Sequence, residues 1–344
     1  MNFKRSLVIA FCVGASTLMA QDVHFSQFNE TPQLLNPGAT GVYSGYIRAI
    51  VNYKNQWAAM GNAFNTVAAS CDMPLFDKNE KKAHIGAGIN FFSDKAGDSH
   101  FGTTQANLCL SAILPVSKES KLALGFSFGA AQKKLSVAGM NWGNQYDGQG
   151  FNTAMANGET INDVSINYFD LGAGVYYQWS NGKVKFERNE KRTLDVGVSY
   201  FHLNQPAMKF MTVPEKLYGK LVVNVVGHLD KSETKLAFLP SAIFFQQGKA
   251  TELTVGCAIR YRLKNETKIT GLITESGIAV GLHYRVGDAI IPAVYFNVGD
   301  FYLGVSYDIN VSSYKTVSKY NGGAEISLKY NILKGALFKQ KNMI

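Results

Sequence analysis

The chain has 344 residues, of which 17% are charged and 12% aromatic, and its formal net charge is +9. Disordered chains combine few aromatic side chains with many charged ones, so this composition excludes a disordered protein. The length allows one large barrel or two average domains. The basic residues are dispersed along the chain, which favours anionic lipid headgroups or a partner surface over nucleic acid as their counterpart.

The N-terminus has the pattern of an export signal. Lys4 and Arg5 precede a short apolar run, and small residues follow up to Ala20. The run is shorter than the roughly 20 apolar residues that span a membrane as a helix, which disfavours an N-terminal anchor. We therefore predict a signal peptide over residues 1–20 and a single domain over 21–344.

A segment rich in turn-forming residues, QDVHFSQFNETPQLLNPGATGVYSG, precedes the first predicted strand. Pro32, Pro37 and Gly38 argue against a long regular element in this segment. The sequence therefore predicts an N-terminal extension or plug-like segment over 21–45, ahead of a strand-rich region over 46–331.

Beyond this segment, apolar side chains alternate with polar or small ones. In TELTVGCAIRYRL, every second residue from Leu253 to Leu263 is apolar, while Glu252, Arg260 and Arg262 belong to the other set. Successive side chains of a strand point to opposite faces, so this segment has one apolar face. The strands predicted in this way are 46–54, 64–73, 83–94, 103–115, 121–133, 168–180, 192–203, 217–230, 235–246, 251–263, 276–286, 289–298, 301–309 and 322–331.

The length of these segments indicates a membrane barrel. Most exceed the roughly 5–6 residues of globular strands and match the roughly 9–11 residues of a tilted membrane-spanning strand. Their second face is small or polar, as in a porin lumen, and aromatic residues such as Tyr200 and Tyr307 end several apolar faces. We predict an all-β fold, a transmembrane antiparallel up-and-down β-barrel of about 14 strands, with 332–344 as a tail. A secreted β-sandwich is the alternative.

The predicted connections are of two kinds. Short turns are expected at 180–183 and 247–250, whereas the connection over 134–167 is long and rich in Gly and Asn. Bacterial barrels alternate short periplasmic turns with longer outer loops. The long connection is therefore expected to be extracellular or to fold into the pore; a loop without further role is the alternative.

The sequence contains no motif of a known catalytic or metal site. The histidines are far apart, and Cys71, Cys109 and Cys257 lie in separate predicted strands. Charged side chains on the polar faces predict ion pairs inside a lumen instead. The candidates are Asp170, Asp195 and Asp308 as acids and Arg260, Arg262 and Arg285 as bases. We expect no enzyme activity, no cofactor and no metal ion, although barrel enzymes exist.

Several strings of the chain resemble a known family. DVHFSQFNETPQLLNPGATG followed by RAIVNYKNQW is similar to the opening of the PorP/SprF family, outer-membrane proteins of the type IX secretion and gliding machinery. Gly38 and Lys54 depart mildly from the family pattern. The matching residues are Phe25, Ser26, Gln27, Phe28, Leu35, Asn36, Pro37, Thr40, Gly41, Asn52, Tyr53, Gln56 and Trp57. Later blocks, among them FDLGAGVYY (169–177) and GGAEISLKY (322–330), agree in order, so the resemblance covers nearly the whole predicted domain.

The resemblance implies a fourteen-stranded barrel that works by binding. The function it implies is to bind secreted adhesin-type cargo through the cargo's C-terminal sorting domain, for export or cell-surface attachment. The other partner it implies is the type IX translocon or a periplasmic ring component. Outer-membrane lipid is expected from the barrel pattern, and the dispersed charges of an exported chain predict no nucleic-acid partner. The alternative function is a general diffusion channel, or porin, in which Arg260 and Arg262 would tune selectivity.

The candidate partner-binding residues are Asn36, Pro37, Trp57, Trp142 and Tyr146. We expect Asn36 and Pro37 to fix a turn in a periplasm-facing or plug-like element, and Trp57 to anchor the first strand at a membrane interface. Trp142 and Tyr146 belong to the long connection, and exposed loops are natural docking surfaces.

Overall fold

The fold is a closed β-barrel. The computed structural model describes residues 22–332 except 44, 57–63, 76–81, 98, 138–139, 153, 159–162, 185–188, 211–212, 232–233, 265–274 and 314. In this part of the chain, fourteen antiparallel strands form one barrel, and the last strand pairs with the first. The predicted fold class and strand number are confirmed. None of the described helices is long and apolar enough to cross a membrane.

The strands lie close to their predicted positions and are numbered here in chain order. The barrel strands are β1 (Ile47–Gln56), β2 (Phe64–Leu75), β3 (His84–Ala96), β4 (Phe101–Pro115), β5 (Ser120–Leu135), β6 (Val164–Val184), β7 (Asn189–Phe201), β10 (Lys220–Asp230), β11 (Leu236–Gln247), β12 (Ala250–Lys264), β13 (Ser276–Arg285), β14 (Ala289–Val298), β15 (Phe301–Asn310) and β16 (Asn321–Ile332). The smaller elements are the hairpin β8 (Ala207–Phe210) and β9 (Val213–Lys216), the helices α1 (Pro32–Leu35) and α2 (Lys315–Ser318), and 3-10 turns at Phe28–Glu30, Pro37–Ala39 and Gly143–Gln145.

One predicted turn is wrong, and one strand pair was not foreseen. Residues 180–183 belong to β6, because β6 and β7 continue to pair beyond the point where β5 begins, as at Asn181 with Arg192. The turn predicted at 247–250 is present, and Gln247 pairs with Ala250 across it. The hairpin β8–β9 lies in the connection that follows β7, where the sequence analysis placed no strand.

The alternation within β12 separates the outer surface of the barrel from its lumen. Leu253, Val255 and Ile259 are 41%, 39% and 50% exposed on the outside. Thr254 and Arg262 on the other face are only 2% and 8% exposed. An outward band of exposed apolar side chains is the lipid-facing surface of a membrane barrel, so the apolar face of this strand faces lipid.

Aromatic side chains mark both ends of this apolar band. Tyr200 and Tyr307 are each 40% exposed, close to the ends of β7 and β15. At the opposite end, the rings of Phe301 and Tyr330 pack with their centroids 4.6 Å apart. Aromatic rings at these depths are typical of the girdles that membrane barrels form at the two interfaces.

The barrel has two rims. At the inner rim, β1 begins and β16 ends, and Ile47 pairs with Ile332. The opposite rim carries the connection 136–163 between β5 and β6 and the connection 202–219 between β7 and β10. Bacterial barrels have short periplasmic turns and longer extracellular loops, so we assign this second rim to the outside and call it the outer rim.

The segment Asp22–Tyr43, hereafter the plug segment, lies inside the barrel. It bonds strands all around the wall: the backbone N–H groups of Ser26 and Gln27 donate to Glu325 of β16, and Ser111 of β4 donates to the Thr40 carbonyl. The side-chain hydroxyl of Ser199 in β7 donates to the Leu35 carbonyl. Contacts in so many directions require that the segment fills the lumen.

Glycines on the lumen face make room for the plug segment. A Cβ added to Gly125 of β5 would overlap the backbone of Pro37 and Gly38, and one added to Gly86 of β3 would overlap the carbonyl of Thr40. These glycines occupy the small-residue face that the alternation pattern showed. The wall therefore has no side chains at the positions where the turn at residues 37–40 comes closest to it.

Gly125→Ala is expected to destabilise the protein by about 1–3 kcal/mol, the usual cost of overpacking, because the new methyl group meets rigid backbone. The matched control is Gly143→Ala, since a Cβ at Gly143 meets nothing within 4 Å. Thermal unfolding in detergent measures both variants. Equal midpoints for Gly125→Ala and the wild type would contradict the close approach of the plug segment to β5.

Candidate functional site

The N-terminal end of the plug segment is held near the outer rim by charges. His202, directly after β7, lies between two carboxylates: Nε2 is 2.5 Å from Asp22 and Nδ1 is 2.7 Å from Asp170. Lys220 Nζ lies 4.0 Å from Asp22. Burial alone would lower the pKa of His202, but the two carboxylates outweigh burial and raise it to about 9. His202 is therefore an imidazolium at neutral pH.

The middle of the plug segment is held by a group of buried charges. Both carboxylate oxygens of Glu325 accept backbone N–H bonds, from Ser26 at 2.7 Å and from Gln27 at 2.9 Å. The Ser26 hydroxyl donates to Asp308 at 2.8 Å, and Arg285 donates to the same Asp308 oxygen at 3.1 Å. The plug segment thus supplies two backbone donors and one hydroxyl donor to buried carboxylates of the wall, which need such partners.

The turn LNPGATG lies against β5 and β6. Asn36 accepts a hydrogen bond from the Gly38 N–H at 2.8 Å and donates to the Val175 carbonyl of β6 at 2.9 Å. Pro37 occupies the first position of the 3-10 turn, where its fixed φ fits and no N–H is needed. Asn36 is only 1% exposed. These two candidate residues therefore shape the plug segment and form no part of the outer surface.

The C-terminal end of the plug segment is fixed at the inner rim by one ion pair. Arg48 of β1 donates twice to Asp72 of β2, at 2.9 and 2.7 Å, and also to the Ala39 carbonyl at 3.2 Å. The Gly41 N–H donates to Asp72 at 2.7 Å. The guanidinium of Arg48 also lies 4.4 Å from the ring centre of Tyr43, so the pair connects the plug segment to both strands.

Apolar contacts complete the filling of the lumen. Phe28 and Leu35 of the plug segment pack in one buried cluster with residues of β10 and β11. The cluster residues from these two strands are Val222, Ile243 and Phe245. Two cavities, of about 40 and 10 Å³, remain beside Asp22 and Lys220. A cavity of about 10–15 Å³ is needed for one water molecule, so these spaces hold at most a few waters and do not form a solute path.

The predicted lumen ion pairs are present in part. Arg285 lies 3.1 Å from Asp308, as the sequence suggested. Arg260 and Arg262 instead contact Glu275, at 2.5 and 3.4 Å. Arg262 also contacts Asp230 at 3.2 Å. Asp170 binds His202, and Gln178 donates to Asp195 at 2.9 Å. The sequence identified the charged face but not the partners, because the partners depend on the register between neighbouring strands and on the residues just beyond the strand ends.

The remaining candidate residues lie elsewhere. Trp142 and Tyr146 belong to the connection 136–163 at the outer rim, and Tyr146 is 53% exposed with its ring 5.4 Å from that of Phe151. Trp57 lies outside the described residues. The candidate residues therefore do not form a single site: two are in the lumen and two are on the outer rim. In the described ranges, no group of His, Cys, Asp and Glu side chains could hold a metal ion.

A family model described as type IX secretion system membrane protein PorP/SprF matches residues 17–330. The chain belongs to the PorP/SprF family. It is thus an outer-membrane β-barrel component of type IX secretion, as the N-terminal strings suggested. Of the sequence residues that carry the resemblance to PorP/SprF, those from Phe25 to Gly41 lie in the plug segment.

Solved structures similar to this PorP/SprF member are also outer-membrane proteins. The Ralstonia pickettii toluene transporter TbuX is 10% identical with a TM-score of 0.45, covering 88% of this chain and 94% of its own. A Pseudomonas aeruginosa FadL homologue has 10% identity, a TM-score of 0.47 and the same coverages. The translocator domain of NalP from Neisseria meningitidis has 12% identity and a TM-score of 0.36, covering 96% and 98%. No curated protein sequence matches significantly.

The contacts of His202 with Asp22 and Asp170, hereafter the His202 clamp, predict that the stability of the protein depends on pH. The folded pKa of about 9 exceeds the ordinary value of 6.5, so the folded state binds the proton more tightly. The stabilisation is complete below about pH 6.5, declines as the pH rises, and is lost above about pH 9. Thermal midpoints measured from pH 6 to pH 10 should fall across this window.

The His202→Gln variant should lack this decline. His84→Gln is the matched control, since His84 is a buried histidine whose ring contacts the Lys82 carbonyl at 3.0 Å and, among the described residues, no carboxylate. A wild-type midpoint that is constant from pH 6.5 to pH 9, or a decline that persists unchanged in His202→Gln, would refute the charged clamp.

Proposed function

We propose that this barrel binds secreted cargo at its outer rim, through the C-terminal sorting domain of the cargo, for export or cell-surface attachment. In this proposal the barrel is a binding component, without catalysis or cofactor, that works beside the translocon or the periplasmic ring. The proposal rests on membership of the type IX secretion family and on the geometry of the lumen and the rim.

The filled lumen is the observation that favours binding over transport of small solutes. The plug segment extends from Asp22, beside Lys220 at the outer rim, to Gly41, beside Asp72 at the inner rim. It is bonded to the wall near both ends and in the middle of this path, and the two cavities described beside its outer end are small, about 40 and 10 Å³. A protein partner must therefore contact the rims.

The connection 136–163 supplies a structured surface on the outer rim. Gln145 is buried, accepts from the Trp142 N–H at 3.3 Å and donates to the Met155 carbonyl at 3.1 Å, which ties two parts of the loop together. Tyr146 and Phe151 are 53% and 54% exposed on this scaffold. Exposed aromatic rings on a fixed scaffold are typical centres of protein–protein binding energy.

Replacing Trp142 and Tyr146 together by Ala should weaken cargo binding by at least about 30-fold, because loss of a binding hot spot costs about 2 kcal/mol or more. Retention is measured as the amount of cargo that co-purifies with the barrel extracted from outer membranes. Tyr218→Ala is the control: Tyr218 is also 53% exposed, but it lies in the connection 202–219. Equal retention by the double variant and this control would remove the loop from the proposal.

Conductance in planar bilayers separates this function from that of a porin. The wild type should show no steady open channel, because the plug segment fills the lumen. Glu325→Ala removes the acceptor of two plug N–H groups and should increase brief openings several-fold. The control is Glu275→Ala, which removes contacts to Arg260 and Arg262 but none to the plug segment. A stable open channel in the wild type would favour the porin alternative.

A further inference from the structure

A concave apolar groove lies on the lipid-facing side of β1–β6. Its volume is about 770 Å³. It is lined by small side chains between large ones, including Ala69, Phe91, Ala106, Phe128, Ala130 and Phe169. Phe169 is 77% exposed and Phe128 is 51% exposed. These residues form adjacent cross-strand pairs, such as Phe91 with Ala106 and Ala130 with Phe169, so the groove runs across the wall.

A polar row borders the groove on the side of the outer rim. Two residues beyond the groove on each strand, Ser93 of β3 pairs with Thr104 of β4, and their hydroxyls are 3.1 Å apart. On the next two strands, Gln132 donates to Asn167 at 3.1 Å. The outward surface thus changes from apolar to polar between one outward-facing residue of each strand and the next.

Two lysines follow in the next row. Lys95 of β3 and Lys134 of β5 both pair with Gly102 of β4, which has no side chain. Neighbouring strands are about 4.8 Å apart, so the two lysine backbones lie about 10 Å apart on the same outward row. Both lysines are exposed. Among the described residues, neither lysine forms an ion pair.

The spacing of the rows matches the depth profile of a lipid. Lys95 is six residues beyond Ile89 of the groove, and Lys134 is six beyond Phe128. Six residues span about 20 Å along a strand at 3.3 Å per residue, which is about 15 Å along the membrane normal at a strand tilt of about 40°. Half of a bilayer's hydrocarbon layer is about 15 Å thick. Acyl chains lying in the groove therefore place a headgroup at the level of the lysines.

We propose that this face is a binding site for a phosphate-bearing glycolipid of the outer leaflet. Its acyl chains occupy the groove, its sugar hydroxyls contact the polar row, and a phosphate lies between Lys95 and Lys134. The position beside the outer rim selects the outer leaflet. Two carboxylates nearby do not compete for the lysines: Asp94 accepts from Thr66 in the lumen, and Asp163 accepts from the Val137 N–H.

The test is native mass spectrometry of the full-length purified barrel, titrated in detergent with lipid A carrying two phosphates. One basic residue near an anionic lipid surface strengthens binding about fivefold, so replacing Lys95 and Lys134 by Gln should weaken binding of the probe about 25-fold. The matched control replaces Lys216 and Lys249 by Gln. These lysines are also exposed at the outer rim but lie far along the wall, beside β10 and β12.

A separate substitution tests the apolar groove. Ala130→Phe fills the groove from the lipid side and should weaken binding of the same probe several-fold, whereas Leu282→Phe, on the opposite wall at 59% exposure, should not. Both changes keep a lipid-facing apolar residue, so the barrel should fold, as migration of the unheated protein on a gel verifies.

Three results would overturn the proposal. They are unchanged binding in the Lys95 and Lys134 variant, an equal loss in the Lys216 and Lys249 control, and equal affinity for phosphatidylglycerol and for lipid A. The last result would assign the site to phospholipid instead. Because cargo retention is not used as a readout, failure here leaves the proposed cargo-binding function unaffected.

Discussion

The buried pair of Arg48 and Asp72 fixes the point at which the plug segment becomes the first barrel strand. Asp72 accepts two bonds from the guanidinium and one from the Gly41 N–H, while Arg48 also holds the Ala39 carbonyl. A buried charge that loses its partner costs several kcal/mol. The chain direction at this corner is therefore strongly determined, and every contact of the plug segment within the lumen depends on that direction.

The lumen is filled largely by polar groups, in contrast to the core of a soluble protein. Glu325 and Asp308 of the wall accept hydrogen bonds from two backbone N–H groups and the Ser26 hydroxyl of the plug segment. One apolar cluster around Phe28 and Leu35 adds ordinary packing. Because hydrogen bonds are directional and charges need partners, this filling specifies one position of the plug segment.

The sequence predicted the wall far better than the contents of the barrel. Strand positions follow from the alternation of apolar and polar residues along the chain. A shift by one residue would turn every lipid-facing apolar side chain toward the lumen, so the pattern is a strong signal. The turn role of Asn36 and Pro37 also followed from local chemistry. The clamp between Asp22, His202 and Asp170 joins residues up to 180 positions apart in the chain. No local pattern encodes such a contact, and the same is true of the partners of Arg260 and Arg262.

One signal for the plug segment was present and could have been used. The small face of strands such as LALGFSFGA contains glycine where an open channel would need no such space. Gly86, Gly125 and Gly174 all lie against the segment around Asn36 to Thr40. Glycines that align across neighbouring strands on the lumen side therefore indicate an object inside the barrel, provided that the register is known.

The bonds between the plug segment and β16 have a consequence for assembly. The N–H groups of Ser26 and Gln27 bind Glu325 on the last strand, and the seam between β1 and β16 closes the barrel. A segment that precedes the first barrel strand thus completes the environment of the last barrel strand. A chain whose last strand is displaced from the seam also loses these two bonds to the plug segment, so the closed seam and the filled lumen stabilise each other.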